Sequence, residues 1–316
     1  MEIRKIQKTG GSTLVVSLPK VWCQNFNLKV GSKVVLNYNE RGGIMLEPFE
    51  RAQEVSSAIV DISKDSDLEV EIRVLISKYI QGVKKITIKS DDKKMMDDVI
   101  SKFLDLTIGF EIIDEKSNES TLEDLISLPM LTFEKGMRRM VTLVRSIVNE
   151  SVNPQKIPFE YVMQKENEVD KFNIYIQRLF SQSLKDYSVL QLNKISSSEA
   201  LSYLLVSRIL ERIADHGIRI YRLLNQKEIN HREIVDYIKD AAESMGRSVE
   251  FFFKKDKVAA NQEITKKELF KRRRDAINRS IQGSTEAITL SEILEDAERI
   301  ALYSSDICEL TLDYSG

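Results

Sequence analysis

The first 48 residues are patterned as short strands separated by turns, which is very little chain for a folded module. The apolar runs "TLVVSL", "KVVLNY" and "IMLEP" are divided by glycine-containing turns, and Pro48 closes the segment. Gly10 and Gly11 lack the following Lys-Ser/Thr of a phosphate-binding loop, so we expect a hairpin turn there. So short a module rarely buries a sufficient core alone. The pattern therefore predicts a β module that pairs with a second copy of itself.

Basic side chains are concentrated in the first 35 residues of a chain whose net charge is -2. This stretch carries six Lys or Arg side chains and one acid, Glu2, so the remaining residues are net acidic. A basic module on an acidic body is typical of a protein that contacts nucleic acid at one end. We expect Arg4, Lys5 and Lys8, on and beside the first strand, to contact DNA phosphates.

Residues 52–128 alternate strand-like apolar runs with stretches of helical periodicity. The strand-like runs are "AIVDI", "KKITIKS" and "GFEIID", and the helical stretches are residues 66–81 and "KKMMDDVISKFLDL". This alternation is typical of an α/β layer. We therefore predict a small α/β domain, which the polar run "DEKSNES" and Pro129 bring to an end.

Helical periodicity dominates residues 130–316. In "ALSYLLVSRILERIADHGIRIYRLL" apolar residues recur every three or four positions, as on one face of a helix. The sequence "ERIA" occurs at Glu211–Ala214 and again at Glu298–Ala301, late in each of two groups of helical segments, which indicates duplication. We predict an all-helical domain of two three-helix units, residues 130–226 and 227–316.

Two cysteines and two histidines limit the chemistry of the chain. Cys23 and Cys308 lie far apart in sequence, which is typical of a reducing compartment, and we expect a cytoplasmic location. We expect no membrane insertion, because no apolar run approaches the roughly 18 residues of a spanning helix and the charged start lacks the apolar stretch of a signal peptide. With so little histidine, carboxylates must supply most ligands to any bound metal.

Two pairs of acids in the first helical unit recur at a spacing of four: Glu166 with Asp170, and Glu211 with Asp215. We call these four residues the acidic quartet. The spacing places each pair on one helical face, where like charges repel and a bound cation would relieve the repulsion. If the pairs face each other across a bundle, their oxygens suit Fe, Mn, Mg, Ca or Zn ions. Alternatively, the acids form ordinary surface ion pairs with Arg208, Arg212 or Arg222.

The second helical unit offers a poorer set of ligands. Leu302 stands at the position that matches Asp215, and Thr265 at the position that matches Asp170, so we expect at most a weak second site. We expect His216 to be structural rather than a metal ligand. The basic run "KKELFKRRRDAINR" is expected to be a solvated helix face, with phosphate binding as the alternative.

The segment "RKIQKTGGSTLVVSLPKVWCQNFNLKVGSKVVL" resembles the AbrB/SpoVT/MazE swapped-hairpin domain. It has that family's basic strand, glycine turn, apolar strand ending in Pro-Lys, short helix and following strand entry, with Ser-Leu-Pro-Lys in place of the commoner Ile-Pro-Lys. The resemblance implies that two chains interlock into one barrel, of which residues 1–48 form half. It also implies that basic strands face DNA, which adds Lys20 to Arg4, Lys5 and Lys8 as DNA-binding residues.

The helical half, residues 130–316, resembles the phosphate-uptake regulator family, PhoU. The resemblance is carried by "ENEVD" and "LERIADHGIRI". It implies a pair of three-helix bundles and, because carboxylate-rich motifs bind metal clusters in that family, a metal-binding role for the acidic quartet. The order of swapped hairpin, small α/β segment and PhoU-like half is similar to that of archaeal proteins regarded as phosphate-uptake regulators.

These features favour a multidomain, non-enzymatic transcriptional regulator linked to phosphate uptake. The homodimeric basic module would bind DNA, and the helical half would bind metal, sense a signal or dock a partner such as a sensor protein or a phosphate ABC-transporter subunit. One alternative is a PhoU-type adaptor that regulates such a transporter, with the swapped hairpin serving only to dimerise. Another is a carboxylate-bridged di-metal enzyme, which lacks a visible nucleophile, lid or base. We expect no catalytic residue and no organic cofactor.

Overall fold

The computed structural model describes residues 2–38, 42–49, 56–126, 131–226 and 231–314. The chain divides into two compact units, Met1–Val55 and Ser56–Gly316. The segment predicted as the helical domain, and the predicted α/β domain except for residues 52–55, lie in the second unit. The predicted boundary between them stays a prediction, because residues 127–130 are outside the described ranges. No helix in those ranges is long and apolar enough to cross a bilayer.

The first unit consists of two short antiparallel hairpins with one short helix between them in sequence. Its elements are β1 (Gln7–Thr9), β2 (Thr13–Val15), α1 (Lys20–Asn25), β3 (Val34–Tyr38) and β4 (Ile44–Pro48). Gly10 lies in the turn between β1 and β2 with a φ of +61°, a left-handed conformation that glycine adopts without steric cost. The predicted hairpin turn and β architecture are confirmed.

The apolar side chains of the first unit lie at its surface. Pro48 is its one buried residue within the described ranges. Many large apolar side chains are at least half exposed: Ile3, Ile6, Leu14, Val16, Val21, Val30, Leu36, Tyr38, Ile44 and Met45. Exposed apolar surface on this scale marks an interaction site. The described residues of this unit form no buried apolar core, so their apolar surface is available to a partner.

The second unit begins with an α/β layer built on a four-stranded sheet of order β5-β6-β8-β7. Strand β5 is parallel to β6, whereas β8 is antiparallel to both β6 and β7. Val60, Ile86 and Leu122 are buried and contribute to the core that the helices of this unit share. The elements are β5 (Ser57–Ile62), α2 (Leu68–Ile80), β6 (Lys85–Ser90), α3 (Lys93–Leu106), β7 (Phe110–Glu115) and β8 (Glu119–Asp124).

Strand β8 is an inner strand that sequence analysis does not reveal. Its sequence "ESTLED" contains one large apolar side chain, Leu122, and begins inside the polar run taken as the end of the domain. Ser120 and Thr121 are nevertheless buried, because β6 and β7 flank the strand on both sides. Pairing with two neighbours places these polar residues inside the sheet. The sequence has no alternation of apolar side chains that would predict this strand.

The remaining residues of the second unit form a helical bundle, as predicted. The helices are α4 (Phe133–Ser151), α5 (Phe159–Ser183), α6 (Ser188–Asn193), α7 (Ser197–Gln226), α8 (Arg232–Lys254), α9 (Lys257–Ile264), α10 (Lys267–Ile281) and α11 (Ala287–Tyr314). Helices α4, α5 and α7 pack on one another, and α11 packs on α8, α9 and α10. Because α11 also packs against α7, the two halves of the bundle share one core.

Gly217 allows a close approach between α7 and α4. A Cβ atom at this position would lie 2.9 Å from Cγ2 of Ile147 and 3.3 Å from Cγ2 of Val148. Any larger side chain would push the two helices apart, and well-packed cores tolerate such overpacking poorly. The glycine within "ADHGIRI" thus has a packing role.

Arg178, on α5, joins the helical bundle to the α/β layer. Its guanidinium donates to the backbone oxygens of Tyr79 and Val83, the latter at 3.2 Å, and to Oδ2 of Asp124 at 2.6 Å. Its Cζ also lies 4.4 Å from the centre of the Tyr79 ring. The side chain is 3% exposed, so the end of α2, the end of β8 and the last turns of α5 meet at one buried charge.

We predict that Arg178→Met lowers the free energy of unfolding by about 3–5 kcal/mol, because it leaves the Asp124 carboxylate buried without its partner. Arg139→Met on α4 is the control, since Arg139 is exposed and has no ion pair within the described ranges; its change should stay within about 0.5 kcal/mol. Urea denaturation followed by circular dichroism measures both. Equal stability of the two variants would contradict the joining role of Arg178.

Candidate functional site

The four side chains predicted to bind DNA differ in whether other residues of the chain already pair with them. Lys5, Lys8 and Lys20 are exposed and have neither an ion pair nor a hydrogen bond among the described residues. Arg4 is half-buried: Nη1 donates to Oγ of Ser17 at 2.8 Å, and the guanidinium pairs with Glu2. The three lysines are therefore available to phosphate oxygens, whereas Arg4 is engaged within its own unit.

The lysines stand on short elements of the first unit. Lys8 is in β1, which is exposed along its length, and Lys20 is the first residue of α1. Lys5 lies two residues before β1 begins. Flexible lysines on an exposed strand and its flanks suit contacts to phosphates, which position a protein on DNA without reading the base sequence.

The acidic quartet lies on two helices that pack against each other. Glu166 and Asp170 are on α5, and Glu211 and Asp215 are on α7. Asp215 is exposed and the other three side chains are half-buried. The structure thus brings both predicted pairs to neighbouring helices of the first half of the bundle.

The acids of the quartet have no partner in the part of the chain that the structure describes. No ion pair or hydrogen bond of theirs occurs there. Arg222 is close enough to oppose the rise in the pKa of Glu166, and Arg208 and Arg212 oppose that of Glu211, but none of the three forms an ion pair with these acids. The guanidinium of Arg222 lies 5.2 Å from the Phe159 ring centre, and that of Arg212 lies 6.0 Å from the Tyr303 ring centre. Half-buried carboxylates without partners are unusual, because burial disfavours an unpaired charge.

Burial raises the pKa of each acid in the quartet, and repulsion from other acids of the quartet adds to it at Glu166, Asp170 and Glu211. For Asp170 burial is the largest cause, followed by the charges of Glu166, Glu211 and Asp215, and together they raise its pKa to about 7. Burial likewise raises the pKa of Glu166 and of Glu211, with Asp215 adding repulsion in both cases. For Asp215 burial outweighs the opposing influence of His216 and Arg219. The charge of one carboxyl group therefore affects the protonation of others in the quartet.

The chemistry of this donor set fits a hard cation, although its arrangement is loose. Among the described residues, no three His, Cys, Asp or Glu side chains are gathered closely enough to hold a metal ion. The quartet nevertheless offers only carboxylate oxygens, which hard cations prefer, and a bound cation would remove the repulsion between them. A metal-binding role for these residues stays a prediction.

Two buried acids in the second half of the bundle, unlike the quartet, have cationic partners. Glu298, at the position that matches Glu211, lies 2.6 Å from Nη1 of Arg274. Glu263 accepts hydrogen bonds from Arg247, Lys266 and Ser244. Protein cations neutralise these carboxylates, which supports the expectation of at most a weak second metal site.

His216 connects the two halves of the bundle. Its Nδ1 lies 2.7 Å from Oδ1 of Asp296 on α11, and its ring lies 5.7 Å from the Tyr303 ring. Asp296 is 2% exposed, so the contact is internal. This placement supports the expected structural role.

The basic run of α10 is largely neutralised by carboxylates on its own helix and on its neighbours. Arg272 and Arg279 are exposed without an ion pair in the described ranges. The cations that do have carboxylate partners are Lys266, Lys267, Lys271, Arg273 and Arg274. The pairing favours the expected solvated face over a phosphate site.

Two segments of the chain match known family models. The family model described as "Antidote-toxin recognition MazE, bacterial antitoxin" matches residues 7–53, and the model of the PhoU domain matches residues 137–224. The comparison with curated proteins finds no match. The first match includes Lys8 and Lys20, and the second includes the whole acidic quartet. Both predicted resemblances are confirmed, the PhoU resemblance over residues 137–224 of the predicted 130–316, and both matched domains are regulatory rather than enzymatic types.

We predict that Asp170→Asn stabilises the protein at high pH when a chelator is present. The folded-state pKa of about 7 exceeds the usual 3.8, so the folded protein binds this proton more tightly. That contribution to stability is present at low pH and is lost as the pH rises from about 4 to about 7. One pKa unit equals about 1.4 kcal/mol, and we expect a gain of about 1–4 kcal/mol at pH 8.

Urea denaturation at pH 4.5, 6 and 8 measures this effect. Glu168→Gln is the control, because Glu168 is on the same helix, outside the quartet, with a side chain that is 44% exposed and paired with Lys171. Its effect should not grow with pH. If the effect of Asp170→Asn does not depend on pH, the charge of the quartet does not destabilise the folded state.

Proposed function

Because the chain joins a MazE/AbrB-like domain to a PhoU domain, we propose that it is a phosphate-linked transcriptional regulator that binds DNA as a homodimer. The observation that carries the proposal is the first unit, which exposes both its apolar side chains and three unpaired lysines. The exposed apolar surface suits a second copy of the same unit. The lysines suit the phosphate backbone.

The helical half serves in this proposal as the part that receives a signal. The quartet would hold a metal ion through carboxylate oxygens, and the bound ion would supply positive charge that neutralises them. Helix α5 carries two of these acids and, further along, Arg178, which bonds to the α/β layer. A change of charge at the quartet therefore acts on a helix that is tied to the rest of the second unit.

The regulator would act in the cytoplasm, where its partners would include DNA and a sensor protein or phosphate ABC-transporter subunit. A PhoU-type adaptor that dimerises without binding DNA is the second candidate function, favoured by the PhoU match itself. A di-metal enzyme has less support, because both matched domain types are regulatory.

We predict that replacing Lys5, Lys8 and Lys20 together with Ala weakens DNA binding and flattens its salt dependence. Each lost phosphate contact should lower the slope of log K against log salt by roughly one. Lys102→Ala, an exposed lysine on α3, is the control and should leave the slope unchanged. Fluorescence anisotropy with a duplex between 50 and 200 mM KCl, roughly the range over which such contacts weaken, measures it. Unchanged binding by the triple variant would favour the adaptor.

We predict that the quartet retains metal when the protein is purified without chelator. Elemental analysis should find Fe, Mn, Mg, Ca or Zn bound to the unaltered chain, and the content should fall to background in the Asp170→Asn, Asp215→Asn double variant. Amide groups keep the shape of the carboxylates while removing their charge, so folding should be preserved. Glu168→Gln should keep its metal. Equal metal content in the chain and the double variant would refute the site.

A further inference from the structure

The four-stranded sheet has two edges, β5 and β7. The outer side of an edge strand presents backbone N–H and C=O groups that no strand of the same sheet satisfies. Natural proteins protect such edges with bulges, charged side chains, proline or very short strands. The two edges of this sheet differ in how well they are protected.

Strand β7 is a protected edge. Its pairing with β8 shifts register between Ile112 and Asp114, and such a bulge disrupts the regular row of backbone groups. Three exposed acids, Glu111, Asp114 and Glu115, line the same strand. A second strand that approached β7 would meet an irregular backbone and charged side chains, of which Asp114 and Glu115 pair with Lys116 and Lys93.

Strand β5 lacks these protections. Its register with β6 runs without a shift from Ser57 to Ile62, and its sequence "SAIVDI" contains no lysine, proline or glycine. Ile59 is 65% exposed, and Asp61 is the only charged residue of the strand. Because its backbone is regular and it exposes a β-branched side chain, β5 is the edge better suited to pair with another strand.

The hydrogen bonds at the start of β5 indicate which backbone groups face outward. The oxygen of Ser56 accepts from the N–H groups of Lys84 and Lys85, beside and at the start of β6. Successive residues of a strand direct their backbone groups to opposite sides, so the groups of Ser57, Ile59 and Asp61 point away from β6. These outward groups recur at every second residue, as antiparallel pairing requires.

We propose that β5 pairs antiparallel with β5 of a second copy of this chain, with Ile59 opposite its own counterpart. This register sets Ser57 opposite Asp61 and brings all the outward groups into hydrogen-bonded pairs. The two exposed isoleucines then cover each other, and cross-strand pairs of β-branched residues stabilise sheets. No aspartate faces an aspartate. The two sheets become one continuous sheet across the dimer.

The inference rests on the proposed homodimer, which supplies the second copy. The first unit ends at Val55, and β5 begins at Ser57. A dimer held by the first unit therefore carries two copies of β5 on short tethers. Tethering of this kind raises the effective concentration of the second strand to about the millimolar range, so a modest strand pairing suffices.

The test is disulfide formation in the full chain. Ile59→Cys is introduced together with Cys23→Ser, whereas Cys308 stays because it is fully buried. Opposed residues of a hydrogen-bonded antiparallel pair have Cα atoms about 5.5 Å apart, within the range of disulfides. The matched control is Ile112→Cys on β7, where Ile112 is 42% exposed. Mild oxidation and a non-reducing gel measure the cross-linked fraction.

We expect most of the Ile59→Cys chain to cross-link, at a yield that does not change on tenfold dilution, and the Ile112→Cys chain to cross-link at least tenfold less. Sedimentation velocity on the unaltered chain tests the proposed homodimer separately from the proposed pairing of β5. If the chain is dimeric and the two variants cross-link equally, the pairing of β5 is wrong and the dimer stands. If the chain is monomeric, the dimer and the pairing both fail.

Discussion

The buried guanidinium of Arg178 is the interaction on which the architecture of the second unit depends. A charge that is 3% exposed is costly unless its donors are satisfied. Here the backbone oxygens of Tyr79 and Val83 and the carboxylate of Asp124 accept from it. These acceptors lie at the end of α2, beside β6 and at the end of β8. One side chain thus holds three parts of the α/β layer against the bundle.

Helix α5 links this anchor to the acidic quartet. Asp170 and Arg178 are eight positions apart on the same helix, a distance of about 12 Å at 1.5 Å per residue. One end of the segment carries a carboxyl group whose pKa is raised by burial and by three neighbouring acids. The other end is fixed by hydrogen bonds. In the second half of the bundle the buried Glu263 and Glu298 pair with arginine and lysine, whereas the quartet has no ion pair among the described residues.

Much of the fold was predictable because side-chain periodicity reports which face of an element is buried. The helix over "KKMMDDVISKFLDL" spans Lys93–Leu106 in the structure, and the glycine pair forms the expected turn. Strand β8 was not predictable, because Ser120 and Thr121 carry no apolar signal and owe their burial to flanking strands. For the quartet, the spacing indicated two pairs on helical faces. It did not indicate that the acids lack ion pairs with the nearby arginines, which depends on where those side chains pack.

The sequence by itself determined the order of β, α/β and helical segments, the basic character of the first unit, the two family resemblances and the identity of the four acids. These are properties of local pattern and composition, which act over a few residues. Only the tertiary structure decided that Arg178 is buried against Tyr79 and Asp124, that β5 is the unprotected edge, and that α5 and α7 bring the two acidic pairs together. Each depends on contacts between residues distant in sequence, and their energies arise from burial and charge in a shared environment that no local pattern contains.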